Sequence, residues 1–126
     1  MIDRYLSEVA HSLRAFRPLI ANDAITIERP EGIDLAYLKG RITFIDGSQL
    51  AVAEIVSPTT KAYRFQYMDR QHRTLLRWDT APHHRHLKSF PFHLHTVHGV
   101  TESTPINLPL VLRAIQEHLI KQLGTP

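Results

Sequence analysis

The sequence predicts an α+β domain: an antiparallel meander of about five to six strands, with an N-terminal and a C-terminal helix packed on one face. Apolar residues recur at three- and four-residue spacing at both ends of the chain, whereas between residues 24 and 79 the period falls to two and is punctuated by Gly, Pro and Asp. A third observation is size, since 126 residues suit one ordinary core and not two, so a single domain over 1–126 is expected.

The first helix follows from Ile2, Tyr5, Leu6, Val9, Ala10, Leu13 and Phe16, with Asp3, Arg4, Glu8 and Arg14 between them, and it should end before Pro18. Strands are expected over 24–29, 35–45, 48–56, 61–69 and 73–79. Asp46-Gly47 is a strong hairpin signal, and a two-residue loop pairs Ile45 with Ser48. That register sets Lys39 opposite Glu54 and groups Leu38, Ile42 and Phe44 with Ala51, Ala53 and Ile55. Carried across the next two turns, it sets Glu54 opposite Arg64 and Arg64 opposite Arg77. The result is a charged row, Lys39, Glu54, Arg64, Arg77, with Asp79 beside it. Tyr63, Phe65, Tyr67 and Trp78 then fall on the apolar face, where they pack the core more readily than they stack on bases. The closing helix starts after Asn107, a good N-cap, and stops at Gly124.

Composition bounds the function. The chain has no cysteine, so disulfides and thiolate metal ligands are excluded, which suits a reducing cytoplasm. The N-terminal segment places charges within its apolar pattern, so neither a signal peptide nor a membrane span is expected. A net charge of +3 favours an anionic partner only mildly. Phosphate-binding glycine loops, serine elbows and dinucleotide fingerprints are lacking.

The chemistry concentrates in one stretch. Six of the nine histidines fall between residues 83 and 98, and imidazole is the side chain suited to proton transfer near neutrality. The leading expectation is metal-free cleavage of RNA through its 2′-hydroxyl, which needs a base, an acid and cations to stabilise the phosphorane. His83, His84, His93 and His95 are the candidate acid and base, with Asp79 or Glu54 orienting an imidazole. Arg64, Arg77 and Lys39 are the candidate phosphate-binding groups. Acid and base working together predict a bell-shaped pH profile. A second reading is a metal site, zinc above all, with His83, His93, His95 and Asp79 as ligands, because His93 and His95 project to one face of an extended segment. A third is a non-catalytic module that docks nucleic acid or an acidic protein. Arg85, His86 and His98 read as basic periphery.

Several motifs together carry a family resemblance. Glu54 after an alternating strand, Tyr63-Arg-Phe-Gln-Tyr-Met-Asp69, Leu76-Arg-Trp-Asp-Thr-Ala-Pro-His-His84, Phe90-Pro-Phe-His-Leu-His95 and a closing amphipathic helix resemble the TumE-type toxins of two-gene toxin–antitoxin systems. The resemblance covers roughly 35–122. It implies a growth-inhibiting toxin neutralised by a cognate antitoxin, often a helix-turn-helix DNA-binding protein. RNA as substrate and a homodimer remain expectations of the residue reading. The signature positions carried over are Glu54, Asp79, Pro82, His83, His84, Pro91, His93 and His95. This chain departs from the family at Thr80, usually asparagine, and at Phe92, often histidine, so the position before His93 is not expected to be catalytic.

Overall fold

The computed structural model describes residues 1–80, 87 and 91–124, so His83, His84, Arg85 and His86 lie outside the described residues. Helix α1 spans Ile2–Ala15 and is followed by a single 3₁₀ turn over Arg17–Leu19, which accommodates Pro18. Among the described residues seven strands follow: β1 Ile20–Glu28, β2 Ala36–Phe44, β3 Gln49–Val56, β4 Lys61–Met68, β5 Thr74–Asp79, β6 His93–Thr96 and β7 Gly99–Glu102. Helix α2, Leu108–Leu123, closes the fold. The strands form one sheet in sequence order, every neighbour antiparallel. The α+β meander between two helices is thus observed, with seven strands among the described residues in place of five to six.

Both helices cover the aromatic face. Ile2 and Val9 of α1 and Leu108, Val111, Leu112, Ile115 and Leu119 of α2 join Leu38, Ile42, Leu50, Val52, Tyr63, Phe65, Tyr67 and Trp78 in one buried cluster. Each large aliphatic side chain buried there contributes on the order of 2 kcal/mol relative to exposure. Asn107 caps α2 as expected, its side-chain oxygen accepting from the Leu110 N–H at 3.0 Å.

The register differs from expectation by one residue at the first hairpin. Phe44 and Ser48 close a three-residue loop over Ile45, Asp46 and Gly47, and Gly47 takes φ +86°, which suits a residue without Cβ. The pairs are therefore Ile42↔Leu50, Leu38↔Glu54 and Lys39↔Ala53. A one-residue slip exchanges the two faces of a strand. Leu50 and Val52 turn inward, and Ala51, Ala53 and Ile55 turn outward, because the larger side chains fill the core and the alanines do not.

Glu54 turns inward with them. It lies opposite Tyr63, not Arg64, and is 7% exposed. The charged row expected through Glu54 does not form. Burial of its carboxylate is compensated by Tyr5 of α1, whose hydroxyl donates to both Glu54 oxygens at 2.7 Å and accepts from the Leu108 N–H at 3.2 Å. Burial and the adjacent carboxylate push the Tyr5 phenol far above its ordinary range, so it stays a donor. This contact joins α1, β3 and the start of α2. Tyr5→Phe is expected to destabilise the fold by about 2 kcal/mol, because it removes a donor from a buried charge. Glu54→Gln, which keeps an acceptor, should be milder. Thermal melts of both variants check the order, and equal, negligible shifts would contradict a structural role for the pair.

The β4–β5 register also departs from expectation. An irregularity between Tyr67 and Met68 shifts the pairing so that Arg64 faces Asp79 and Gln66 faces Arg77. Two guanidinium groups directly opposite each other would repel, whereas Arg64 beside a carboxylate is favourable. The turn before β5 is held by Asp69, which accepts from the backbone N–H groups of Arg73 and Gln71.

Candidate active site

The face of the sheet away from the helices carries the chemistry. Strand alternation and the observed register put two adjacent rows of side chains there. One runs Lys39, Ala53, Arg64, Asp79, His93, Glu102 and the other Arg41, Ala51, Gln66, Arg77, His95, Val100. The sequence expectation that His93 and His95 share a face holds, since both belong to β6 with Leu94 turned to the core between them.

Asp79 is the centre of the site. Its Oδ2 accepts from Arg77 Nε at 3.0 Å and lies 3.4 Å from His95 Nε2, while Oδ1 is in close contact with His93 Nε2. Arg77 Nη2 lies 3.1 Å from His95 Nε2 and 3.4 Å from its Nδ1. The two imidazoles meet edge to face with centroids 4.9 Å apart. At β5's end, Thr80 holds the strand in register, its N–H donating to the Tyr63 carbonyl at 3.2 Å and its hydroxyl accepting from the Tyr63 N–H at 3.1 Å. Threonine at this departure from the family pattern thus positions Asp79 through the backbone.

The histidines are not equivalent. His93 is 1% exposed and Asp79 4%, whereas the side chain of His95 is 20% exposed and that of Arg77 28%. Of these four, the latter pair is the more exposed. His93 Nδ1 lies 3.0 Å from the Pro91 carbonyl, which can only accept, so that nitrogen carries a proton. Its Nε2 faces the Asp79 carboxylate, and these two buried groups fix the site from within. Phe92 points to the opposite face and stacks on Tyr63, with centroids 6.2 Å apart. His98 lies exposed in the β6–β7 turn, away from Asp79.

A model of the family described as Toxin TumE matches residues 9–122. The chain belongs to the TumE toxin family. It is therefore the toxin component of a toxin–antitoxin system, with a cognate antitoxin as partner. No curated protein and no solved structure matches the chain. Among the described residues, no helix of the TumE toxin is long and apolar enough to cross a membrane.

Of the sequence-expected site residues, the TumE fold brings Asp79, Arg77, His93 and His95 together and places Arg64 and Lys39 along the same face. It puts Glu54 on the other side of the sheet. Asp79, His93 and His95 offer ligand atoms within 4.8 Å of one another, the donor set a divalent ion takes. The Arg77 guanidinium already engages Asp79 and His95, and a metal ion there would have to displace that cation. Sequence reasoning missed Arg41 and Gln66, which share the open face. Arg41 was legible, since it stands two residues from Lys39 on one strand.

Proposed function

We propose that this TumE toxin is a ribonuclease that cleaves RNA through the 2′-hydroxyl, with His95 and Arg77 as the groups that meet the scissile phosphate. The observation that supports this most is the buried Asp79 carboxylate tied to two imidazoles and one guanidinium, only two of which are open to solvent. His95 takes the 2′-hydroxyl proton, the 2′-oxygen bonds to phosphorus and the bond to the 5′-oxygen breaks. Arg77, anchored through Nε, donates from its Nη groups to the charged phosphorane oxygens. Protonation of the leaving 5′-oxygen falls to a second imidazole, for which the sequence offers His83 and His84. Cleavage leaves a 2′,3′-cyclic phosphate and a 5′-hydroxyl. His93 and Asp79 are positioning residues in this scheme.

A metal-dependent reading is supported by the clustering of Asp79, His93 and His95. The two are separated by incubating the toxin, purified without a histidine tag, with total RNA in chelator and by measuring its metal content. Cyclic-phosphate products formed in chelator support acid–base chemistry. Cleavage that stops in chelator and returns with a divalent ion transfers the reaction to the metal reading, and intact RNA under every condition removes both.

A further inference from the structure

The open face extends well beyond Asp79. On the β2–β4 side it forms a depression of about 350 Å³ lined by Lys39, Arg41, Ala51, Ala53, Arg64 and Gln66. Lys39 and Arg41 stand along one wall and Arg64 with Gln66 along the other, while the floor is two outward alanines between them. Arg41 is held upright by Gln49, its Nη1 donating to Oε1 at 2.8 Å. Lys39, Arg41 and Arg64 are all exposed. Of the carboxylates on the same face, Asp79 is buried directly opposite Arg64, Glu28 on β1 is a diagonal neighbour of Lys39, and Glu102 lies away on β7, so the three exposed cations outnumber the carboxylates beside them.

We infer that this depression is a phosphate track for single-stranded RNA, leading into the Asp79–His95 site. The inference rests on the ribonuclease reading for what happens at the end of the track. It stands on its own for what lies in it. Two rows of the sheet run without interruption from Lys39 and Arg41 to His93 and His95, and the four strand spacings between β2 and β6 make about 19 Å. An extended strand covers that span with about three to five phosphates, a site size usual for single-strand binders. The floor is small and apolar, with no aromatic ring for stacking among the residues lining it, so binding is carried by charge and is tolerant of sequence. A duplex is disfavoured by chemistry, since a paired strand holds its 2′-oxygen out of line with the leaving 5′-oxygen.

Binding of 2′-O-methyl oligouridylates of two, four, six and eight nucleotides tests the track separately from cleavage, because these probes lack the attacking hydroxyl. Affinity is expected to rise at least tenfold from two to about five nucleotides and then level off, and a duplex of equal length should bind more weakly than the single strand. With three phosphates neutralised, log affinity should fall with log salt at a slope of about −2, and Lys39→Ala, Arg41→Ala or Arg64→Ala should each reduce that slope by about 0.7. Length-independent binding, equal binding of duplex, or a slope unchanged in all three variants overturns the track. Length-dependent binding by a protein that leaves RNA intact would retain the track and remove the ribonuclease. Cleavage with no effect of the three variants on affinity would do the reverse.

Discussion

Replacing Asp79 with Asn is expected to lower RNA cleavage by about 10²- to 10⁴-fold and to abolish growth arrest, with little change in KM. Asparagine fits the space but changes three contacts at once. It weakens the charge-assisted bond to Arg77 Nε, removes the carboxylate in contact with His93 Nε2, and removes the negative charge 3.4 Å from His95 Nε2. His95→Ala should lose activity to the same extent by removing the proton acceptor itself. The double variant should lose little more, because the two residues act as one unit. A positioning role also separates the kinetic constants. Asp79→Asn should lower kcat and spare KM, a split that mere destabilisation does not produce. Melting of Asp79→Asn and His95→Ala checks that both remain folded. Full toxicity in either folded variant would remove the site from the reaction.

The sequence made the site legible further than it made the register legible. Hydrophobic alternation is a strong signal, and it located β2 through β5 and the aromatic face correctly because Tyr63, Phe65, Tyr67 and Trp78 leave no doubt which side is buried. It is silent on loop geometry. Asp-Gly serves a two-residue and a three-residue turn alike, and the choice was decided by volume: Leu50 and Val52 fill space that Ala51 and Ala53 would leave empty. The consequence fell on Glu54, whose inward position needed a donor 49 residues away, Tyr5. That phenol was visible only as one more member of an apolar helix stripe. β6 and β7 escaped because four-residue strands offer no periodicity to read. The spacing of His93-Leu-His95 still shows that the two imidazoles share a face if the segment is extended, as it is in β6, while nothing in the sequence shows the unequal burial of His93 and His95.

Gly40→Ala is expected to be among the most destabilising single-methyl changes in the chain. Gly40 lies in β2 at φ +154°, and a Cβ there would stand 1.9 Å from the Ala24 carbonyl oxygen, 2.8 Å from its carbon and 2.9 Å from Ile25 Cα. All three are backbone atoms of the paired strand, so no side chain can swing aside and β1 itself must shift. Overpacking that cannot relax locally costs about 3 kcal/mol. Gly32 provides the control, because it too has positive φ, +77°, but nothing lies within 4 Å of its Cβ position, so Gly32→Ala should cost only the conformational penalty of about 1 kcal/mol. Unfolding curves of the two variants separate contact from conformation, and equal losses would mean that strain at φ, not the approach of β1, makes glycine necessary at Gly40. Amide exchange then locates the damage. Protection should fall first in β1, an edge strand with pairing on one side only, and next at Lys39 and Arg41, which flank Gly40 on β2. Asp79, three strands away on β5, should keep its protection, so growth arrest by folded Gly40→Ala should weaken through the phosphate track before it weakens through the histidines.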